Sequence, residues 1–250
     1  MAIPPRTEAA EIGSAGSSRS RRMFAGAMAL LAVVFLALGT WQVQRLFWKL
    51  GLIVRVDARV HADPVPAPPP AGWSRVDAQD DEYRRVTASG VFAHDKEVLV
   101  QAVTERGAGF WILTPLVQPD GAAILVNRGF VPADRRDPAS RAEGEVPGAV
   151  RITGLLRLSE PGGAFLRSND PEAGRWYSRD VAAIAAAEGL GNTAPYFIDA
   201  DTTPNPGGLP VGGLTVIRFR NSHLVYAVTW YAMAVMSGAA AWVIQRKRIG

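Results

Sequence analysis

The chain has 250 residues, 48% of them hydrophobic, and a formal charge of +4 that is unevenly placed. Residues 1–22 carry four arginines against two glutamates, the tail 246–250 adds Arg246, Lys247 and Arg248, and residues 45–222 between them are slightly acidic. Basic flanks beside uncharged apolar segments have a membrane-topology explanation, which removes the reason to invoke nucleic acid, and the lack of cysteine excludes disulfides, copper–thiolate chaperones and thiol–disulfide oxidoreductases.

Residues 1–22 are rich in Ser, Ala and Arg, show no periodic apolar positions and read as a disordered tail. Residues 23–44 contain no Asp, Glu, Lys or Arg and predict a first transmembrane helix, since about 20 apolar residues cross a bilayer core. A signal peptide competes for this segment: Ala37-Leu38-Gly39 has the small residues of a cleavage site, and Ser20-Arg21-Arg22-Met23-Phe24 looks like a twin-arginine pattern. The apolar run is longer than a signal core, however. Trp41, Arg45, Trp48, Lys49 and Leu52 continue it at three- and four-residue steps, with no breaker before Gly51. Pro64, Pro66, Pro68, Pro69 and Pro70 then predict a stiff, extended connector.

Short β-rich runs follow at 83–92, 98–103, 110–117, 123–131, 150–158 and 214–219, separated by turn residues. A single helix is expected over 179–189, with Asp180 as its N-cap and Gly189 or Gly191 as its terminator. A second uncharged stretch, 223–245, predicts another membrane helix. The fold class expected is a membrane α-helical hairpin plus an α+β extramembrane domain over 45–222, mainly an antiparallel sheet or small barrel with one helix. Basic tails at 1–22 and 246–250 place both termini in the cytoplasm and 45–222 on the outer side.

There is no H-E-x-x-H zinc motif, G-x-S-x-G elbow or P-loop, and Gly207–Gly213 reads as a turn before a strand. Of the three histidines, His61 and His94 read as solvated. His223 opens the second apolar helix, and Tyr226, Trp230 and Tyr231 follow at i+3, i+7 and i+8 on the same face. That arrangement suits either an interfacial aromatic belt or an imidazole ligand to haem iron flanked by aromatic rings. Arg128, in Asn127-Arg128-Gly129 at the end of a run, is a cation for a carboxylate. It serves either a structural pair and turn or an external group such as a haem propionate.

Several segments together resemble the surfeit locus protein one family of cytochrome c oxidase assembly factors. Leu38-Gly39-Thr40-Trp41-Gln42-Val43-Gln44-Arg45 with Trp48-Lys49 looks like its first-helix signature. Tyr83-Arg84-Arg85-Val86 before Gly90, Thr114-Pro115-Leu116, and Val126 to Pro132 are similar to its sheet motifs. Asn169, Pro171, Trp176, Tyr177 and Asp180 match the segment before the helix. Pro210, Gly212, Gly213 and Thr215, then Asn221, His223, Leu224, Tyr226, Ala227, Thr229, Trp230 and Tyr231, resemble its closing signature. Phe130 stands where family members often carry Trp.

The resemblance implies a non-enzymatic, multi-pass protein of the bacterial inner membrane that assists haem a insertion into the catalytic subunit of cytochrome c oxidase. The haem a synthesis machinery would be a further partner. It implies haem a bound through His223 as metal ligand; Tyr226 and Trp230 by their spacing, and Arg128 as a cation for a propionate, are the other candidate binding residues. The alternative is a scaffold that binds no haem and stabilises an oxidase assembly intermediate. Ala234 and Gly238, small residues four apart, would then serve close helix packing.

Overall fold

The computed structural model describes residues 8–164, 166–217, 219 and 221–246. In chain order the elements are α1 (Glu8–His61), β1 (Val65–Pro66), β2 (Arg85–Phe92), β3 (Val98–Thr104), β4 (Gly107–Val117), β5 (Ala123–Pro132), β6 (Ala149–Leu158), α2 (Val181–Ala187), β7 (Thr193–Ala200) and α3 (His223–Arg246). They divide into a helical unit, Met1–Ile53 with Arg218–Gly250, and a sheet unit, Val54–Ile217. The sheet unit therefore starts and stops inside the expected 45–222 boundaries.

In the helical unit α1 and α3 are both long and apolar enough to cross a membrane. Helix α1 exceeds the expected 23–44 at both ends. The tail read as disordered is helical from Glu8, and residues 1–7 lie outside the described residues. Glu8–Arg22 contains no proline, and its Ala, Glu and Arg residues are good helix formers, so a helix nucleated by the apolar run can propagate through its Ser and Gly positions. Gly51 does not stop the helix, because one interior glycine costs only about 1 kcal/mol against alanine. The helix ends at His61, just before Asp63-Pro64, where proline disfavours helical backbone in the residue ahead of it. Residues 247–250, the remainder of the basic tail, lie outside the described residues.

The sheet unit is barrel-like. Strands β2, β6, β7, β5 and β4 pair in that order, and β2 closes the ring onto β4 through Val91–Val117 and Phe92–Leu116. All these pairs are antiparallel except β5–β7. Strand β3 extends β4 beyond the ring. The proline connector is no free spacer: β1 adds to β2 in parallel, with Ala67 N–H donating to Thr87 at 2.9 Å. An edge strand needs few donors from one side, which is where proline is tolerated.

Strand β7, which contains Pro195, was not among the expected runs. The β5–β7 register shifts between Ala123 and Leu125, so the missing N–H falls at an irregularity and not within a regular ladder. Conversely, the run 214–217 forms no strand. It follows the Gly212-Gly213 turn and, among the described residues, is tied to β7 by Gly213 N–H to Ala200 O (3.0 Å) and by the Thr215 side chain. The expected strand residue Arg218 lies outside the described residues.

One face of the ring buries Val86, Ala88, Phe92, Leu116, Ile124, Val126, Leu156, Tyr196 and Ile198. Alternate residues point the other way, so Leu125 and Phe197 join Leu113, Val98 and Val100 beneath α2 and Trp176. The expected helix is present as α2. Asp180 caps it by accepting from Ala183 N–H at 3.2 Å, and Gly189, with φ +61°, follows its end.

On this second face sits Asp199, 3% exposed. It accepts from Asn127 Nδ2 at 2.7 Å and, at 3.0 Å each, from Arg157 Nη1, Arg179 Nη1 and Thr215 Oγ1. Both arginines lie against the Phe197 ring. Desolvation is the largest influence on Arg179 and opposes its charge, but Asp199 and Glu160 together outweigh it and raise the guanidinium above its ordinary value. The carboxylate thus joins β5, β6, β7, the segment before α2 and the chain after β7. Removing one partner of a buried ion pair strands the other, at about 3–5 kcal/mol. Asp199→Ala should therefore lower the urea midpoint of the full-length protein by the equivalent of about 3 kcal/mol or more, read by tryptophan fluorescence. A change under about 0.5 kcal/mol, ordinary for surface sites, would contradict that role.

Candidate functional site

Two places carry the residues singled out in the sequence, one in each unit. In the helical unit α3 presents a stripe to α1. Ala227 and Ala241 are buried on it, Trp230 stacks on Phe35 (5.5 Å between centroids, 24° between planes), and the Tyr231 hydroxyl lies 3.3 Å from Thr40 Oγ1. The paired positions ascend in one helix as they descend in the other, from Gln42–His223 through Thr40–Tyr231 to Ala32–Gly238, so the helices run antiparallel.

On α1 the complementary stripe is Ala25, Ala32, Phe35, Gly39 and Gln42, repeating at alternate three- or four-residue steps and one step of seven. That is the seam spacing of packed helices. Its tightest point is Gly39. A Cβ there would lie 2.8 Å from Cε1 of Tyr231, so with a side chain at this position the ring would have to shift.

His223 stands at one end of this seam. Its backbone N–H is accepted by Asn221 Oδ1 at 3.4 Å, and its Nδ1 lies 2.7 Å from Gln42 Oε1. An amide oxygen only accepts, so this contact pairs it with an Nδ1–H, and in the neutral tautomer that carries that proton Nε2 has a lone pair. The half-buried ring therefore has its Nδ1 edge engaged across the seam. The structure brings His223 and Trp230 to the seam but leaves Tyr226 off it, 53% exposed. Among the described residues no three His, Cys, Asp or Glu side chains converge to hold a metal ion.

In the sheet unit Arg128 lies within β5, not at a strand end. The β4–β5 register pairs Ile112 with Gly129 and Leu113 with Asn127, so Arg128 is the extra residue of a bulge, which turns its side chain inward. Gly129 makes the bulge possible: its φ is +136°, and a Cβ would meet Val211 O at 2.2 Å.

The Arg128 guanidinium is 2% exposed. Its Nη2 donates to Gly144 O and, at 3.0 Å, to Asn205 Oδ1, and the group lies 4.9 Å from the Phe92 ring centroid. Asn205 in turn donates to Pro210 O at 2.6 Å. The carboxylate expected from a neighbouring loop is not there among the described residues, because Glu97 is engaged by both Nη groups of Arg141. Nε and Nη1 of Arg128 have no acceptor among the described residues. Burial pushes the guanidinium below its ordinary value, with Glu97 and Glu145 pulling against burial and Arg141 adding to it.

His94 is not solvated, as its turn position implied. Nε2 meets Val146 O at 3.2 Å, and the ring lies 5.6 Å from that of Phe92. His61 is exposed at the end of α1, its Nδ1 2.9 Å from Asp57 O.

Residues 29–235, which include the α1 stripe from Ala32 onwards, the His223–Tyr231 part of α3 and the whole sheet unit, match the SURF1 family. The chain belongs to the SURF1 family. Surfeit locus protein 1 of Homo sapiens is 38% identical over 224 residues, covering 82% of this chain and 72% of the relative. That of Rattus norvegicus is 40% identical over 214 residues, covering 78% and 67%. A SURF1-like protein of Monosiga brevicollis is 38% identical over 251 residues, covering 95% and 92%.

The seam of this SURF1-family chain can be tested covalently, because the chain has no cysteine of its own. A Cβ at position 238 would lie 4.0 Å from that of Ala32, within the usual disulfide span of about 3.5–4.5 Å. Ala32→Cys with Gly238→Cys should form an intramolecular disulfide on mild oxidation, seen as a mobility shift reversed by reductant. Adding Gly39→Leu should abolish it by displacing Tyr231. No shift in the double variant would refute the antiparallel seam.

Proposed function

We propose that this chain is a non-enzymatic assembly factor of the bacterial inner membrane that holds haem a through His223 during maturation of the catalytic subunit of cytochrome c oxidase. The observation that supports this reading is the His223 ring, whose Nδ1 lies 2.7 Å from Gln42 Oε1; in the neutral tautomer with Nδ1–H, Nε2 has a lone pair to donate. A ligating histidine ordinarily has this arrangement, with the second ring N–H donated to an oxygen. Haem a is cargo in this reading, and an imidazole nitrogen supplies an axial bond that a methyl group cannot. Tyr226, exposed one turn along, is available to the face of a flat ligand. Trp230, held by Phe35, keeps the histidine end of the seam in place.

Arg128 does not suit a propionate contact in this conformation, since neutral oxygens and an aromatic ring enclose it. We assign it the internal role of joining β5 to the 138–144 and 205–210 segments. The helices lie in the bilayer with both termini cytoplasmic and the sheet unit on the outer side, as the basic flanks favour. An export-dependent reporter fused after Pro70 should be active and one fused after Gly250 inactive. The reverse pair would refute this orientation.

A second reading, a scaffold without haem, draws on the apolar surface both helices leave open: Val225, Val228, Val235 and Met236 on α3 and Leu30, Val33 and Leu36 on α1 are exposed. These suit lipid or another membrane subunit equally. The two readings separate on purification from cells that make haem a. The parent, His61→Ala and His94→Ala should carry haem a. His223→Ala should lose it or show a shifted spectrum, with membrane insertion intact and a stability change within the ordinary ~0.5–3 kcal/mol. Unchanged haem occupancy in His223→Ala would favour the scaffold.

A further inference from the structure

Gln42 is an amide on an otherwise apolar or small-residue stripe of α1, and its carbonyl oxygen lies 2.7 Å from Nδ1 of His223. In a membrane helix an unpartnered amide costs several kcal/mol, so the pairing constrains both helices. The neighbouring Gln44 lies off the stripe. The spacing from Phe35 and Gly39 selects position 42, and the closeness permitted by Gly39 beneath Tyr231 lets a side chain on α1 reach a ring on α3.

The ring is held from two sides. Asn221 accepts from the His223 backbone N–H, fixing the first residue of α3, and Gln42 fixes rotation of the imidazole about its own bonds. Without an acceptor at Nδ1, a neutral imidazole in an apolar setting distributes its proton between the two nitrogens. The tautomer protonated at Nε2 has no lone pair there to donate. Nδ1, closer to the backbone, is then the only available ligand atom.

We propose that Gln42 is the positioning residue for His223: by accepting the Nδ1 proton it selects the tautomer and ring orientation in which Nε2 is the ligand atom. This rests on the reading of His223 as the haem ligand. Its role depends on accepting a hydrogen bond. An acceptor-only substitute should therefore preserve it, and an apolar isostere should not. Loss of such outer partners typically weakens ligation by about 10–100-fold.

The test uses full-length protein in detergent, titrated with haem a, with parent, Gln42→Glu, Gln42→Leu and His223→Ala compared. Each is also made with the Ala32→Cys and Gly238→Cys pair to report the seam. Gln42→Leu should bind about 10–100-fold more weakly while still forming the cross-link. Gln42→Glu should bind like the parent with a lowered reduction potential, because a carboxylate at Nδ1–H makes the imidazole more electron-donating.

Parent-like binding by Gln42→Leu would overturn the proposal, while loss in His223→Ala would leave the ligand reading standing. Weak binding by Gln42→Leu together with loss of its cross-link would also overturn it, showing a packing role only. Failure of Gln42→Glu to bind would reverse the assigned hydrogen bond, making the amide a donor, and would overturn it as well. Undiminished binding in His223→Ala would remove the ligand reading itself.

Discussion

Tyr231 packs directly over Gly39 of α1, where a side chain would force its ring to shift. For two apolar helices long enough to cross a membrane, association depends on close packing and a few polar contacts. Gly39 allows the approach, Trp230 on Phe35 adds a stacked aromatic pair, and the Tyr231 and His223 side chains find oxygen atoms on α1. The orientation of the imidazole follows from that contact. It belongs to the helix pair and not to α3 by itself.

A different physical rule governs the sheet unit. With no disulfide, its closure rests on an apolar ring interior and on a small number of buried charges whose valences are met internally. Asp199 is satisfied by four side chains, whereas Arg128 retains two N–H groups without an acceptor among the described residues. The first is an anchor that joins strands from distant parts of the sequence. The second is a strap between loops, placed inward by a bulge, and its incomplete satisfaction is offset in part by the Phe92 ring and the charges of Glu97 and Glu145.

Much of this architecture was legible from residue patterns. Uncharged segments near each end identified α1 and α3, and β-branched runs located β2 to β6 to within two residues, except the start of β4. Asp180 and Gly189 bracketed α2. In two places tertiary context overrode a local signal. Strand β7 was not among the expected runs, and its Pro195 is accommodated at a register shift. The proline-rich stretch looked like a spacer and became an edge strand.

At the site, His223 and Trp230 were legible because α3 repeats at helical spacing. Gln42 was not, although it falls in the same periodic set as Gly39 and Phe35. Reading α1 for the stripe facing a partner, and not only for hydropathy, would have exposed it. Tyr226 shares the face in projection, but the contact with α1 is centred on the Ala227 side and leaves Tyr226 exposed. For Arg128, no periodic rule signals a bulge; the following Gly129 was the only local hint.

The most direct test of the central claim is to detect the ligand nitrogen itself. With His61→Ala and His94→Ala combined, His223 is the sole histidine, so uniform ¹⁵N-histidine labelling marks one residue. Pulsed electron paramagnetic resonance of this protein loaded with ferric haem a should show ¹⁵N hyperfine coupling to the iron, absent in the unlabelled control. Haem bound with no ¹⁵N coupling would contradict ligation by His223.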